Sequence, residues 1–328
     1  MTVRCIVSSY SDPYFNLASE EYLLKEFTDD IFLLYRNDPS IVIGKHQNAL
    51  AEINHEYIRR KGIRVARRIS GGGTVFHDPG NLNFTFITGG EEGKLVDYRR
   101  YTRPVIEALK LLGLEVRLGG RHELLLAGKK ISGTASHVFK YRVLHHGTLL
   151  FASDLEELDH ALKVGNVAYE DRAVRSIRSE VTNISDHLAG HMDMEDFQDH
   201  ILRYILQTAK GSHTYRYSRA DLEGISRLRD AKFSTWDWNF GYAPAYDFRK
   251  RLRFGDRGIE IRMHVKKGII QEIHIEGDIP AKTDTGRIER VLEKTPHDPG
   301  HIREKLSRAC AGDCIEGMSN EELLDGLF

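Results

Sequence analysis

A chain of 328 residues exceeds the size at which one hydrophobic core usually keeps growing, so a large domain with a smaller companion is expected. Hydrophobic residues at 41% and charged residues at 29% are the balance of an ordinary folded protein, and 47 basic against 48 acidic side chains leave no positive field for nucleic acid. The N-terminal residues Arg4, Ser8, Ser9, Tyr10 and Asp12 lack a signal core, no later run is apolar for ~18 residues, and Cys5, Cys310 and Cys314 form no disulfide framework, so the expectation is a cytoplasmic monomer with reduced thiols and no membrane contact.

Along the chain, Asn16 is placed to cap a helix reaching Lys25, since its side chain accepts from the free amides of a first turn. Strands are predicted at Ile31 to Tyr35, Ile41 to Gly44, Leu82 to Ile87, Leu114 to Leu118 and Thr148 to Phe151. Asp154 caps a helix to Lys163, and a helix from Asp193 to Ala209 carries Phe197, Ile201 and Ile205 at four-residue spacing. After the aromatic stretch Phe233 to Phe248, alternation of Ile259, Ile261, Met263 and Val265, then Gly268, then Ile269, Ile273 and Ile275 reads as a β-meander, and charged, helix-prone sequence follows. The fold class expected is α+β, with a mixed-sheet domain over 1–246 and a small α+β domain over 250–328.

The stretch Arg67 to Asn81 is the most informative. Gly71, Gly72 and Gly73 strip side chains from a loop and bare its amides, and Arg67 and Arg68 supply charge that pairs with phosphate or carboxylate. A strand follows the loop where a Rossmann or P-loop site needs a helix, so those folds are disfavoured. His77 either positions a ligand or satisfies a loop carbonyl. A second stretch, Gly128 to Ala135, holds Lys129 and Lys130 before a Ser-Gly turn; extended backbone turns one inward and one to solvent, and Lys130 is the candidate for a fixed positive charge. The pair His145 and His146 opens an apolar strand on opposite faces, which rules out a chelate and leaves one histidine for a pocket wall. His297 with His301 and Cys310 with Cys314 have spacings that suit zinc, but Pro299 and Gly300 interrupt the first pair.

Together these residues resemble lipoate-protein ligase in its long form with a C-terminal accessory domain. The resemblance takes in Asn16-Leu17-Ala18 with Glu20-Glu21, Val42-Ile43-Gly44 with Gln47-Asn48, the loop Arg67 to Asn81, Lys130 to Gly133, His146 to Leu150, Val181-Thr182-Asn183 and Trp236 to Gly241. It implies a catalytic domain similar to biotin ligases and class II aminoacyl-tRNA synthetases. It also implies a reaction in which lipoate and ATP, with Mg2+, give lipoyl-AMP, followed by transfer to a lysine of a lipoyl domain of a 2-oxoacid dehydrogenase or of the glycine-cleavage H protein.

Carried over by motif, Arg68, Gly73, Thr74, Val75, Phe76 and Asn81 would bind ATP, and Lys130 would touch both the lipoate carbonyl and the phosphate. Gly72, Gly73, His77 and His146 would join Lys130 around lipoate, and Arg172, Arg175 and Arg178 would belong to a loop over the adenylate, within Lys163 to Asn183. No protein metal ligand is implied. The chain departs from the family at Gly120-Arg121-His122-Glu123, where Gly-Arg-Asn-Asp is usual. Rival readings are an octanoyl or lipoyl transferase of the same fold, whose thioester-forming branches need a cysteine that is absent between Ile6 and Ala309, a biotin ligase, and a non-catalytic scaffold for lipoyl domains.

Overall fold

In the computed structural model, which describes residues 3–90, 95–162, 167–280, 282–310 and 314–328, strand β1 (Val3–Val7) leads into helix α1 (Pro13–Glu26). Asp12, not Asn16, caps this helix: its side chain accepts from the Tyr14 amide, and Pro13 takes the first turn, where a missing N–H costs nothing. Asn16 is therefore one turn inside the helix, free to point its amide into the protein. There follow β2 (Asp30–Tyr35), β3 (Ser40–Ile43), α2 (His55–Lys61), β4 (Arg64–Arg67), β5 (Val75–His77), β6 (Asn81–Gly89) and α3 (Tyr98–Lys110). Then come β7 (Val116–Leu118), β8 (Leu124–Leu126), β9 (Lys129–Ser132), β10 (Thr134–Phe139), β11 (Arg142–Leu150), α4 (Leu155–Leu162) and β12 (Ala168–Asp171). The chain continues through α5 (Met194–Thr208), β13 (Ser212–Thr214), α6 (Arg219–Leu228), β14 (Tyr246–Phe254), β15 (Arg257–Lys266), β16 (Ile269–Gly277), α7 (Thr285–Leu292), α8 (Pro299–Ala309) and α9 (Asn320–Gly326). The helix expected from Asp154 is α4, whose cap Asp154 accepts from the Glu157 amide at 2.8 Å; Lys163 lies outside the described residues.

Two units emerge. The first comprises Met1–Lys45, Ile63–Asp159 and Ser176–Thr235; the second comprises His46–Gly62, His160–Arg175 and Trp236–Phe328. The first is built on a six-stranded mixed sheet in the order β10-β11-β6-β2-β1-β13, with β1 parallel to both neighbours and the remaining pairs antiparallel. Two small sheets, β4-β3-β5 and β7-β8-β9, accompany it.

The strands of the large sheet alternate. In Asn81-Leu82-Asn83-Phe84-Thr85-Phe86 the even positions meet α3 and α5 in a core that also buries Phe32, Leu34, Val105, Leu109, Leu149, Phe197 and Ile201. The odd positions put Asn83 and Thr85 on the other face, the one α1 covers. The strand expected over Thr148 to Phe151 is the end of the much longer β11, which the polar His145 and His146 concealed.

In the second unit β12-β14-β15-β16 form an antiparallel sheet, and Ile259, Ile261, Met263 and Val265 of β15 are buried as the alternation required. Pro299 opens α8, with Asp298 as its cap. His297 is buried, its ring accepting from the Tyr246 hydroxyl at 2.6 Å and donating to the Leu327 carbonyl at 2.5 Å, whereas exposed His301 pairs with Asp298. Cys310 and Cys314 are joined in a disulfide with Cα atoms 5.4 Å apart, which corrects the reading of reduced thiols: a count of three says nothing of distance, and past the end of α8 two of them lie close enough to bond. Among the described residues no helix is long and apolar enough to cross a membrane.

Candidate active site

The polar face of the large sheet is walled by α1, whose residues Asn16 and Glu20 lie one turn apart on one side. Glu20 is wholly buried, and its Oε1 accepts from the Thr85 hydroxyl at 2.6 Å and the Tyr35 hydroxyl at 3.1 Å. Its carboxylate also takes the Nδ1–H of His146 at 3.0 Å. In the neutral ring that leaves His146 Nε2 as an acceptor, which holds the Ser70 hydroxyl at 2.6 Å, and Ser70 Oγ in turn accepts from Arg68 Nε at 3.0 Å. Burial lowers the Arg68 pKa to about 10, against the raising influence of Glu20 and Tyr35. A buried cation and a buried carboxylate are thus linked through a serine and a histidine, each neutralising the other's desolvation.

Arg68 shapes the glycine loop. Its Nη2 donates to the carbonyls of Gly71 at 2.6 Å and Gly73 at 2.7 Å, and Nη1 to Val42 at 3.1 Å. Turning those carbonyls onto the guanidinium requires an unusual backbone, and Gly72 supplies it with φ 93°. The loop amides are not all bare: Thr74 N–H is taken by the Ser176 hydroxyl at 2.8 Å, and Val75 and Phe76 lie on β5, paired with β3. Arg67 is fully buried and serves structure, donating to the Gly44 and Lys45 carbonyls. Asn81 is buried, its Nδ2 donating to Asn83 while its Oδ1 has no partner.

His77 is buried at the end of β5, with Nδ1 2.9 Å from Asn37 Nδ2 and Nε2 without a partner. Desolvation, with Arg68 and His146 nearby, lowers its pKa to about 3. His145 faces away from His146: it meets Ser136 at 2.8 Å and stacks on Tyr101, as opposite strand faces demand.

Lys130 sits on β9, half-buried, while Lys129 is exposed. Its amide donates to Glu180 and its carbonyl accepts from Thr182, so residues 180–182 extend the small sheet as a further edge. A side chain at Gly133 would place its Cβ 3.2 Å from Lys130 Nζ, so glycine leaves the ammonium its room. Gly133 and Thr148 exchange hydrogen bonds, which fastens this turn to β11, the strand that carries His146. Burial pushes the Lys130 pKa down; Glu123 opposes the shift, and Arg121 and Arg68 add to it.

The departure at His122 and Glu123 is accommodated. His122 has φ 64°, a conformation that both Asn and His adopt more readily than most residues, and its ring stacks on Tyr98 at 3.9 Å. Glu123 receives the Arg121 amide at 2.7 Å.

Of the three loop arginines, Arg172 and Arg175 belong to the second unit and Arg178 to the first, all exposed. Arg175 binds the Tyr169 carbonyl and Asp171, and Arg178 lies 3.6 Å from Asp159. Cys5 is packed in the apolar core with its pKa raised to about 11 by burial, which makes it no nucleophile.

Sequence reading quoted Glu20 as part of a motif but gave no role to Glu20, Tyr35, Asn37, Ser70 or Thr85. The signal is present as Asn16 and Glu20 one turn apart among buried residues of α1 and as the polar half of an alternating strand.

Residues 12–206 match the family model for the lipoyl protein ligase A/B catalytic domain, and residues 243–327 that for the bacterial lipoate protein ligase C-terminus. The chain is 38% identical over 322 residues to lipoate-protein ligase LplJ of Bacillus subtilis (strain 168), covering 97% of each. A crystal structure of lipoate-protein ligase A bound with ATP matches with TM-score 0.64 at 26% identity, over 74% of this chain and 100% of that one. The bi-partite lipoate protein ligase of Thermoplasma acidophilum, studied with its E2 lipoyl domain, matches with TM-score 0.64 at 25% identity, over 78% of this chain and 99% of that one.

Proposed function

The chain belongs to the lipoate-protein ligase family, in the form that carries the bacterial C-terminal domain, and from that premise we propose that it joins lipoate to a lysine of a lipoyl domain at the expense of ATP. A carboxylate oxygen of lipoate attacks the α-phosphorus, a P–O bond forms, the α–β anhydride breaks and pyrophosphate leaves. The acceptor amine then attacks the acyl carbon, loses a proton and expels AMP.

What supports this reading is a half-buried Lys130 ammonium in the same unit as a glycine loop organised by Arg68, whose charge is among those that lower the Lys130 pKa. Negative charge that develops as carboxylate meets phosphate is stabilised by a fixed cation that needs no reorganisation. Arg68, Gly73, Thr74, Val75, Phe76 and Asn81 hold the nucleotide, with the Thr74 amide exchanging Ser176 for a phosphate oxygen. Gly72, Gly73, His77, His146 and Lys130 surround lipoate. His146 has both ring nitrogens engaged, so it offers the acid a wall and no hydrogen bond. Arg178, in the same unit as the glycine loop, belongs to the segment that covers the adenylate, which protects the mixed anhydride from water.

Magnesium accompanies the nucleotide. Such an ion keeps phosphate and water ligands and needs no cage of protein side chains. Residues 1–246 form the catalytic domain in this reading and 250–328 the accessory domain.

The test is an acceptor-lysine labelling assay with lipoate, octanoate and biotin in parallel, joined to pyrophosphate release, on wild type and Lys130→Ala. Lipoate should label best, and the substitution should cut adenylate formation by ~100-fold or more. Labelling by biotin alone, or full activity in the variant, refutes the assignment.

A further inference from the structure

One chain of hydrogen bonds in the first unit has a determinate direction. Asn16 Nδ2 donates to the carbonyls of Tyr10 at 2.8 Å and Arg36 at 3.2 Å, which only accept, so its amide orientation is fixed. The same nitrogen, its two hydrogens shared among three acceptors, faces Asn37 Oδ1 at 2.8 Å, and the Ser8 hydroxyl donates to Asn16 Oδ1 at 2.8 Å. Asn37 must then present Nδ2 to His77, and His77 Nδ1, 2.9 Å away, must accept. A neutral imidazole that accepts at Nδ1 carries its proton at Nε2. That N–H is buried in a residue only 3% exposed and has no partner. An orphaned buried donor is costly, so this N–H is open to an acceptor that a ligand could bring.

Resting on the reading above, in which the acid's head group meets Lys130 and Gly73, we propose that His77, locked as the Nε2–H tautomer by Asn16 and Asn37, donates to a ring sulfur of lipoate. It thereby sets the preference for lipoate over a plain eight-carbon acid. Position along the strand supports the distal end. From Thr74 to His77 the extended backbone spans ~10 Å, comparable to the length of such an acid. The charged neighbours also differ: His77 feels Arg68 and His146, whereas Lys130 feels Glu123, Arg121 and Arg68, so Arg68 is the group they share. Octanoate would leave the N–H facing a methyl group. A sulfur of the ring disulfide is, like a thioether, a weak acceptor, but a weak partner still exceeds none, and a discrimination of about tenfold follows.

Calorimetric affinities for lipoate and octanoate, on wild type, His77→Phe, His77→Gln and Asn37→Asp, decide it. Wild type should favour lipoate by about tenfold. His77→Phe removes the donor and should bring the ratio close to one, chiefly through lost lipoate affinity, and His77→Gln, which keeps an N–H, should retain part of the preference. Asn37→Asp cannot donate, so at a pH where His77 is neutral it should move the His77 proton to Nδ1 and abolish the preference while the ring stays in place. Nitrogen NMR of histidine-labelled wild type should show neutral His77 protonated at Nε2.

An unchanged ratio in His77→Phe, an equal loss for both acids, or an Nδ1–H tautomer in wild type each overturns the proposal. If pyrophosphate release proceeds normally in wild type alongside any of these, the ligase reading stands and only this inference falls. Wild type that binds neither acid removes both.

Discussion

Replacing Glu20 tests whether the buried relay from α1 to the glycine loop is an ionic structure. In Glu20→Ala three donors, the hydroxyls of Thr85 and Tyr35 and the Nδ1–H of His146, lose their acceptor inside the protein. Arg68, 6% exposed, keeps its charge with its opposing carboxylate gone. Breaking a buried pair in this way costs about 4 kcal/mol, a large part of the ~5–15 kcal/mol that holds a domain together. Glu20→Gln keeps the shape and the Oε1 acceptor but sets an NH2 group against His146 Nδ1–H, for a loss of about 2 kcal/mol.

Thr85→Val deletes a single hydroxyl, again for about 2 kcal/mol, and the double variant should be less damaged than the sum by about 1 kcal/mol, because both changes act on one carboxylate. The assay is urea unfolding by far-UV circular dichroism, with hydrogen exchange of the β6 and β11 amides. Tryptophan emission is unsuitable because Trp236 and Trp238 both belong to the second unit. A Glu20→Gln protein within ~0.5 kcal/mol of wild type, the range of an ordinary surface change, would refute the ionic reading of the relay.

Three further outcomes follow from the same geometry. Lys130 holds its proton less tightly folded than unfolded, so pyrophosphate release should decline on the alkaline side at a pH below that of a free lysine, and Lys130→Arg should keep residual activity with that limb moved upward; a wild-type profile with no alkaline limb contradicts this. For stability the same group has the opposite sense: the unfolded chain retains the proton longer, so its contribution rises with pH between the two values.

His77 and His145 are held neutral with pKa about 3, so below the unfolded value near 6.5 the unfolded chain binds protons that the folded chain refuses. Stability should therefore fall between pH 6.5 and 4 by up to ~1.4 kcal/mol per pH unit for each group, as urea midpoints at successive pH values would show. Gly80→Ala drives a Cβ into the Ala152 carbonyl, where Gly80 itself accepts the Phe151 and Ala152 amides, and should cost about 3 kcal/mol; a variant as stable as wild type in the same titration would show that the turn yields.

Local chemistry could be read from the chain itself because it is written in neighbours. Three glycines after two arginines announce a loop with exposed backbone. The Lys129-Lys130 pair resolves into one exposed and one half-buried residue by strand alternation, and alternation likewise separates His145 from His146. The Asp193 helix and the β15–β16 meander follow from periodicity alone. Starts and lengths were less legible. Asn16 reads as a cap only until Asp12-Pro13 begins the helix a turn earlier, and β11 is longer than its apolar half because it also carries His145, which meets Tyr101 of α3, and His146, which meets Glu20 of α1.

What only the folded chain decided is which distant residues meet. Glu20 and His146 are 126 positions apart, Ser70 and His146 76, and Asn37 and His77 40. Nothing in a list of neighbours reveals that one helix face orients two histidines on two different strands. Likewise no composition shift marks 46–62 and 160–175 as parts of the second unit. Periodicity records whether a side chain points in or out; the partner waiting there is set by how sheets and helices close upon one another, and with it the tautomer, the charge balance and the group left free for a substrate.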